Sequence, residues 1–152
     1  MMKKNILVFL LLLSYFSLFS QSTNSKWSDL FSYNNVLAFK EKDGKIIAAT
    51  ENGVFYYNTI SGEITKLSKA NGLHEVKISA FDYDAATNTA IIGYKSGNLD
   101  VVTADGVTYV VDIPLSQSYT GSKTINNISI NGDKAVISVG YGVSIFNITK
   151  KE

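Results

Sequence analysis

Short segments that alternate between apolar and polar residues, separated by turn residues, run through most of the chain. The stretch from Ile46 to Leu67 contains three such segments and two tight turns. Alternation with a period of two predicts β-strands, because successive side chains of a strand point to opposite faces. Beyond the first twenty residues no segment keeps a 3.6-residue apolar period for more than two turns, so no long helix is predicted.

The pattern of residues 46–67 recurs twice further along the chain. When the copies are aligned, Gly53, Gly97 and Gly142 coincide, and they lie 44 and 45 residues apart. A period of this size is typical of β-propeller blades. Each full copy predicts four antiparallel strands. Asn52-Gly53 is predicted to form a type I′ hairpin turn, since both central residues of that turn need positive φ.

The sequence therefore predicts an all-β fold, a partial β-propeller of four-stranded antiparallel blades, preceded by a signal-peptide helix. The predicted blades span approximately residues 34–73, 74–123 and 124–152, which is about two and three-quarter blades and too few to close a propeller ring. An unclosed sheet array exposes unpaired strand edges. We expect either a piece of a longer propeller, which we favour, or an open array that associates with itself.

The N-terminus has the composition of a secretory signal. Lys3 and Lys4 precede an apolar run from residue 6 to 13, and small or polar residues follow it. The run is shorter than a membrane-spanning helix, so we predict a cleaved signal peptide at residues 1–20 and a mature chain at residues 21–152. An uncleaved anchor is the alternative, because Leu18 is larger than the residue usually found three positions before the cut.

Composition narrows the functional classes further. The chain has no cysteine, which excludes disulfides, thiolate metal sites, a cysteine nucleophile and a lipoprotein anchor. The formal charge is +1 and becomes −1 when Lys3 and Lys4 leave with the signal, so bulk charge gives no reason to expect binding to nucleic acid or to an anionic membrane.

Few residues are candidates for chemistry. His74 is the sole histidine and lies in the polar connector of residues 68–75. As a loop histidine with no partner, it is expected to be structural or incidental. Asp82 and Asp84 share one face of a predicted strand and could bind a hard cation. We favour a hairpin turn held by Asp and Asn side chains, because residues 85–88 lack the pattern of a calcium loop.

Aromatic residues are frequent, and exposed rings suit sugars, but packing between blades needs the same residues and is the interpretation we favour. They are Phe39, Phe55, Tyr56, Tyr57, Phe81, Tyr83, Tyr94, Tyr109, Tyr119 and Tyr141. The connector of residues 114–123 has no counterpart in the first repeat, and such insertions can carry binding. Asn127 and Asn147 begin N-glycosylation sequons, a short pattern that carries little weight on its own. No catalytic, cofactor-binding or metal-binding residue is predicted, no cofactor is implied, and ligand-binding residues are unknown.

The second repeat carries a family resemblance. Asn71-Gly72-Leu73, then Tyr83-Asp84, Ile91-Ile92-Gly93-Tyr94 and residues 96–100 (SGNLD) resemble the blade repeat of the two-component regulator propeller superfamily. Together with Trp27, the ATENGVF segment of the first repeat and the signal peptide, the chain resembles the N-terminal propeller of PorZ, a surface component of the Bacteroidetes type IX secretion system.

This resemblance implies an exported, non-enzymatic protein and a longer parent with two propellers and a β-sandwich domain. It also implies a location at the cell surface, on the outer membrane, with the sortase PorU and the proteins PorV and PorQ as partners. Such a protein would bind anionic lipopolysaccharide and present it for linkage to secreted cargo. No ligand-binding motif of the family maps onto residues of this chain.

Two other functions remain open at this point. The same blade repeat forms the periplasmic polysaccharide-sensing propeller of hybrid two-component histidine kinases, and this is the main alternative. A propeller lyase or hydrolase would need carboxylates or histidines that converge on the central channel. A chain with one histidine gives that third possibility little support.

Overall fold

The computed structural model describes residues 30–152, which form three antiparallel sheets. The predicted signal peptide and Trp27 lie outside the described residues. In chain order the elements are β1 (Val36–Lys42), β2 (Lys45–Thr50), β3 (Gly53–Asn58), β4 (Ile64–Ser68), β5 (Ile78–Asp84), β6 (Thr89–Tyr94), β7 (Leu99–Thr103), β8 (Gly106–Val110), α1 (Asp112–Leu115), β9 (Ile125–Asn131), β10 (Lys134–Val139) and β11 (Gly142–Asn147).

Each sheet is a meander in which strands adjacent in sequence pair with each other. The strand orders are β1-β2-β3-β4, β5-β6-β7-β8 and β9-β10-β11. We refer to the sheets as blades 1, 2 and 3. The predicted all-β partial propeller is confirmed. The blades contact one another mainly through their first strands, since β5 packs against both β1 and β9. The blades therefore fan out from their first strands.

Burial follows the position of each blade in this fan. Every residue of β6 is buried, because blades 1 and 3 cover both faces of blade 2. In β10 the buried residues are Ala135, Ile137 and Val139, while the alternate positions are more exposed. The sequence encodes part of this difference: β6 reads TAIIGY, whereas β10 reads KAVISV and has Lys134 and Ser138 among its more exposed positions.

Two apolar clusters hold the blades together. One joins blades 1 and 2 through side chains such as Val54 and Ile92, and the other joins blades 2 and 3 through side chains such as Ile91 and Ile137. Ile91 and Ile92 are adjacent in β6, so their opposite directions place one in each cluster. Burying one such side chain fully contributes about 1.5–3 kcal/mol.

The repeat glycines occupy the same hairpin in all three blades. Gly53 and Gly142 each pair with the last residue of the preceding strand, Thr50 and Val139. In blade 2 the hairpin is one residue longer, because the amide of Tyr94 donates to the carbonyl of Asn98 and Gly97 lies inside the turn. The predicted equivalence of the glycines therefore holds, with Gly97 one position earlier.

The prediction of a type I′ turn at Asn52-Gly53 is wrong. Gly53 lies in β3 with a negative φ, and the residues between the paired Thr50 and Gly53 are Glu51 and Asn52. Positive φ at two successive residues occurs instead at Asp43 and Gly44, between β1 and β2. Gly53 is needed for space, since a Cβ there would lie 2.7 Å from the carbonyl oxygen of Leu67.

The end of blade 2 differs from the sequence expectation, and the outer face of blade 3 is exposed. The strand predicted to run to Ile113 ends at Val110, and α1 follows with Pro114 in its first turn, where a missing N–H is tolerated. On blade 3, Val143 and Ile145 are 66% and 70% exposed. They occupy the positions that Leu99 and Val101 fill on blade 2, where the next blade buries them.

Candidate functional site

A groove of about 480 Å³ opens at the end of blades 1 and 2 where their first two strands turn. We call it the turn groove. Three turns far apart in sequence form it: β1–β2, β3–β4 and β5–β6. Its lining residues are Lys42, Asp43, Lys45, Ile47, Tyr56, Tyr57, Asn58, Glu63, Thr65, Tyr83, Ala85 and Asn88. The size falls within the range of small-ligand pockets.

Local hydrogen bonds fix the turns that build the groove. Both the amide and the hydroxyl of Thr59 donate to the carbonyl of Gly44, each at 2.8 Å, which ties the β3–β4 turn to the β1–β2 turn. In blade 2 the Asp84 carboxylate accepts from the Thr87 hydroxyl at 2.7 Å and from the amide of Ala86 at 3.0 Å. The groove walls are therefore set before any ligand arrives.

The chemistry of the groove is mainly that of tyrosine hydroxyls and amides. Burial, followed by the neighbouring Tyr83, raises the pKa of the Tyr56 phenol, and burial together with the Asp84 carboxylate raises the pKa of Tyr83. Both phenols therefore stay protonated at neutral pH. The Tyr83 hydroxyl donates to Oδ1 of Asn88 at 2.9 Å.

The lysines of the groove form a like-charge pair across the hairpin. Lys42 and Lys45 are directly opposed in the β1–β2 register, an arrangement that is unfavourable when neither charge is balanced. The groove also contains Asp43 and Glu63, so its formal charges cancel overall. Lys42 lowers the pKa of Asp84, though less than the hydrogen bonds from Thr87 and Ala86. Lys42 and Lys45 thus lie with Asp43 at one rim of a groove that has no net formal charge.

His74 has a partner that its sequence neighbourhood did not reveal. Its ring Nδ1 lies 2.6 Å from Oδ1 of Asp100, and its backbone amide donates to Oδ2 of the same carboxylate at 2.9 Å. The Tyr94 hydroxyl donates to Oδ2 at 2.5 Å. Asp100 is fully buried. The network joins the connector between blades 1 and 2 to the interior of blade 2, which supports a structural role for His74. The expectation that it has no partner is wrong.

A second polar cluster adjoins this network. The Glu75 carboxylate accepts hydrogen bonds from the hydroxyls of Tyr109 and Ser96 and from the side-chain amide of Asn98. Burial would raise the pKa of Glu75, but these bonds together outweigh it and lower the pKa below its ordinary value. The His74 and Tyr109 rings stack at 4.6 Å between centroids. These bonds satisfy the Glu75 carboxylate, whereas Oδ1 of Asn98 is buried and has no hydrogen-bond partner within the described residues.

Asp82 and Asp84 do not act together. Asp84 holds the β5–β6 turn, as the favoured interpretation predicted. Asp82 is buried and joins its neighbours on both sides: Lys40 of blade 1 lies 3.0 Å from its Oδ1, and the amide of Ile130 in blade 3 donates to its Oδ2 at 2.7 Å. Within residues 30–152 no group of three or more His, Asp or Glu side chains is arranged to hold a metal ion.

The aromatic residues divide between packing and exposure. Tyr94 and Phe81 are buried between blades, as expected, whereas Phe39 is 64% and Tyr119 55% exposed. Tyr119, in the segment after α1, stacks on Tyr141, which lies in the turn between β10 and β11. Sequence reasoning found these rings individually but not the turn groove, whose walls come from three hairpins that only the fold brings together. The one sequence signal was the repeated position of polar turn residues after each first strand.

Comparison with known proteins shows the class of protein, which is a propeller domain of a bacterial secretion component. The profile of the family "TSS9, PorZ, N-terminal beta-propeller domain" matches residues 46–152. The match covers more than half of the chain, and the chain belongs to this family. No curated protein matches the sequence.

Solved structures share the fold. PorZ, an essential bacterial surface component of the type IX secretion system of Porphyromonas gingivalis, is similar with a TM-score of 0.72 and 23% identity. The extracellular domain of BT4673, a proposed one-component system of B. thetaiotaomicron, has a TM-score of 0.63 and 13% identity. In each comparison the alignment covers 83% of this chain and 17% of the other, so the chain spans a small part of both proteins.

Across the described residues no helix has the length and apolar character needed to cross a bilayer. The helix that the structure does contain, α1, has four residues.

Proposed function

We propose that this chain is a non-catalytic propeller component of the type IX secretion system that acts at the cell surface, on the outer membrane. There it handles anionic lipopolysaccharide for linkage to secreted cargo, with the sortase PorU and the proteins PorV and PorQ as partners. The single observation that carries the proposal is the family match over residues 46–152.

The turn groove supports a role in glycan contact. Tyrosine rings offer apolar faces to sugar rings, and the protonated hydroxyls of Tyr56 and Tyr83 can hydrogen-bond sugar hydroxyls. An acidic group of the glycan placed beside Lys42 and Lys45 would relieve the repulsion within that pair. The groove therefore combines sugar-compatible walls with a rim that carries two lysines.

The alternative is a polysaccharide sensor of a hybrid two-component system. The structural similarity to BT4673 is compatible with this alternative, but a sequence identity of 13% shows only a common fold. The family match favours the secretion role.

The test measures binding of the full chain to anionic lipopolysaccharide from the bacterium that encodes it, by biolayer interferometry. We expect Lys42→Gln/Lys45→Gln to weaken binding roughly two- to thirtyfold, because an exposed ionic contact contributes about 0.2–1 kcal/mol and two are lost. Lys134→Gln is the matched control, since Lys134 opens β10 at the position Lys45 occupies in β2.

Two outcomes decide the proposal. Equal binding of the wild type to lipopolysaccharide with and without its anionic polysaccharide would show that the chain does not recognise that glycan. Binding that depends on the glycan but changes equally in both lysine variants would place the contact outside the turn groove.

A further inference from the structure

We propose that the connector after β8, residues 111–124, is a second glycan-binding site that takes an uncharged pyranose ring on the exposed side of Tyr119. It lies at the opposite end of the blades from the turn groove, next to the hairpin between β10 and β11. It requires neither the lysine rim nor the proposed function.

The platform consists of two stacked tyrosines. The rings of Tyr119 and Tyr141 lie 4.7 Å apart between centroids, with 5° between their planes. Tyr141 is half-buried, and its hydroxyl is 2.8 Å from that of Ser144. Tyr119 is 55% exposed although Tyr141 covers one face. The ring of Tyr119 is therefore supported from below and open to solvent above.

One ammonium group holds the connector in this shape. The Nζ of Lys123 donates to the carbonyls of Ser116 at 3.0 Å and Tyr119 at 2.8 Å. It also lies 5.0 Å from the centroid of the Tyr141 ring, within the range of a cation–π contact. The lysine fixes the backbone on both sides of the turn, so the position of Tyr119 is set without a ligand.

Two neighbouring hairpins make room for the returning segment of the connector. A Cβ on Gly97 would lie 2.6 Å from the carbonyl oxygen of Lys123, and a Cβ on Gly140 would lie 2.5 Å from Cβ of Ser122. Real Cβ atoms do not come this close, so only glycine admits the connector at both points. The connector therefore packs closely against the hairpins of blades 2 and 3.

The fold does not need this connector to be so long. Residues 69–77 carry the chain from β4 to β5, while residues 111–124 perform the same step from β8 to β9 with five more residues. The extra length leaves Tyr119 and Leu115 exposed instead of adding them to the core. An ordered aromatic ring that is left in water has a cost in hydrophobic free energy, and binding a ligand would recover it.

The surroundings determine the class of ligand. The exposed residues next to Tyr119 in the sequence are Gln117, Ser118 and Thr120, which hydrogen-bond without charge. The one cation, Lys123, is already occupied by backbone carbonyls. A pyranose offers an apolar C–H face for the ring and hydroxyls for these side chains. Since the ammonium of Lys123 is directed at these carbonyls and at the Tyr141 ring, the groups left to a ligand beside Tyr119 are uncharged.

The experiment titrates the full chain with a fixed panel of neutral oligosaccharides, namely maltohexaose, cellohexaose, mannohexaose and xylohexaose, by isothermal titration calorimetry. We expect saturable binding of at least one probe. Tyr119→Ala should weaken it roughly three- to tenfold, the loss of one aromatic contact, and Tyr119→Phe should retain it within about twofold. Phe39→Ala, which removes another exposed ring in blade 1, is the control and should leave binding unchanged.

The proposal is overturned if no probe binds saturably, or if Phe39→Ala weakens binding as much as Tyr119→Ala. Binding of an apolar peptide in place of every sugar would also overturn it. Since Lys42 and Lys45 take no part, loss of anionic lipopolysaccharide binding in their double variant, with neutral-sugar binding intact, separates this site from the turn groove.

Discussion

Removing one hydroxyl from the buried network around Asp100 should destabilise the chain strongly. The carboxylate of Asp100 accepts from the Tyr94 hydroxyl, the His74 ring and the His74 amide, and neither Asp100 nor Tyr94 is exposed to solvent. Tyr94→Phe keeps the ring that packs between blades 1 and 2 but leaves the buried charge with one donor fewer. Water cannot replace that donor without entering the core.

The magnitude follows from the charge of the acceptor. A hydrogen bond to a charged group contributes about 1.5–3 kcal/mol, more than the 0.5–1.5 kcal/mol of a neutral one. For a chain of this size the loss corresponds to a decrease in Tm of roughly 5–10 °C. Thermal unfolding followed by near-UV circular dichroism at low protein concentration measures it.

Tyr83→Phe is the matched control, because it removes a hydroxyl that donates to Asn88 in an exposed turn. Water can replace that bond, so we expect a Tm change of at most about 2 °C. If the two variants shift Tm equally, the buried carboxylate does not depend on Tyr94. A double-mutant cycle with His74→Ala should further show a coupling of about 0.5–3 kcal/mol through Asp100. Strict additivity would refute the network.

Three further predictions follow. Burial and the bond to Glu75 raise the pKa of Tyr109 to about 12 from 10.0. The protonated Tyr109 therefore stabilises the folded chain fully below pH 10, and this contribution is lost as the pH rises towards 12. Tyr109→Phe should flatten the dependence of Tm on pH between pH 10 and 12, and an unchanged curve would contradict the assignment. Val143→Ser/Ile145→Ser should reduce self-association in sedimentation velocity, because it removes the apolar face of blade 3; a monodisperse wild-type chain at high concentration would argue against that face. Gly53→Ala should lower stability by about 1–3 kcal/mol in urea unfolding, since its Cβ meets the backbone of β4; Ser61→Ala in the exposed β3–β4 turn is the control.

The repeat made the architecture predictable from sequence. Alternating apolar positions at a spacing near forty-four residues indicated three sheets of the same design, and the strand positions agree to within a few residues. Local turn chemistry was less reliable. Asn52-Gly53 has the composition of a type I′ turn, but the pairing of Thr50 with Gly53 places that glycine in a strand, and β4 requires its small size.

The functional geometry was harder to predict because it depends on contacts between distant residues. His74 meets Asp100, which lies 26 residues further along the chain, and nothing near either residue indicates the pairing. The turn groove has walls from three hairpins, so no contiguous motif encodes it. Tyr119 and Tyr141 were recognisable as aromatic residues, yet their stacking depends on how the connector returns between two hairpins.

The contacts of Asp82 with both neighbouring sheets have a consequence for the order in which the blades fold. Synthesis delivers Lys40 before this carboxylate and Ile130 well after it, 48 positions downstream. Until that later amide emerges, an acidic group destined for the interior lacks one of its two flanking partners. We therefore expect the middle sheet to reach full stability only after its successor has formed, which would couple adjacent repeats into one cooperative unit.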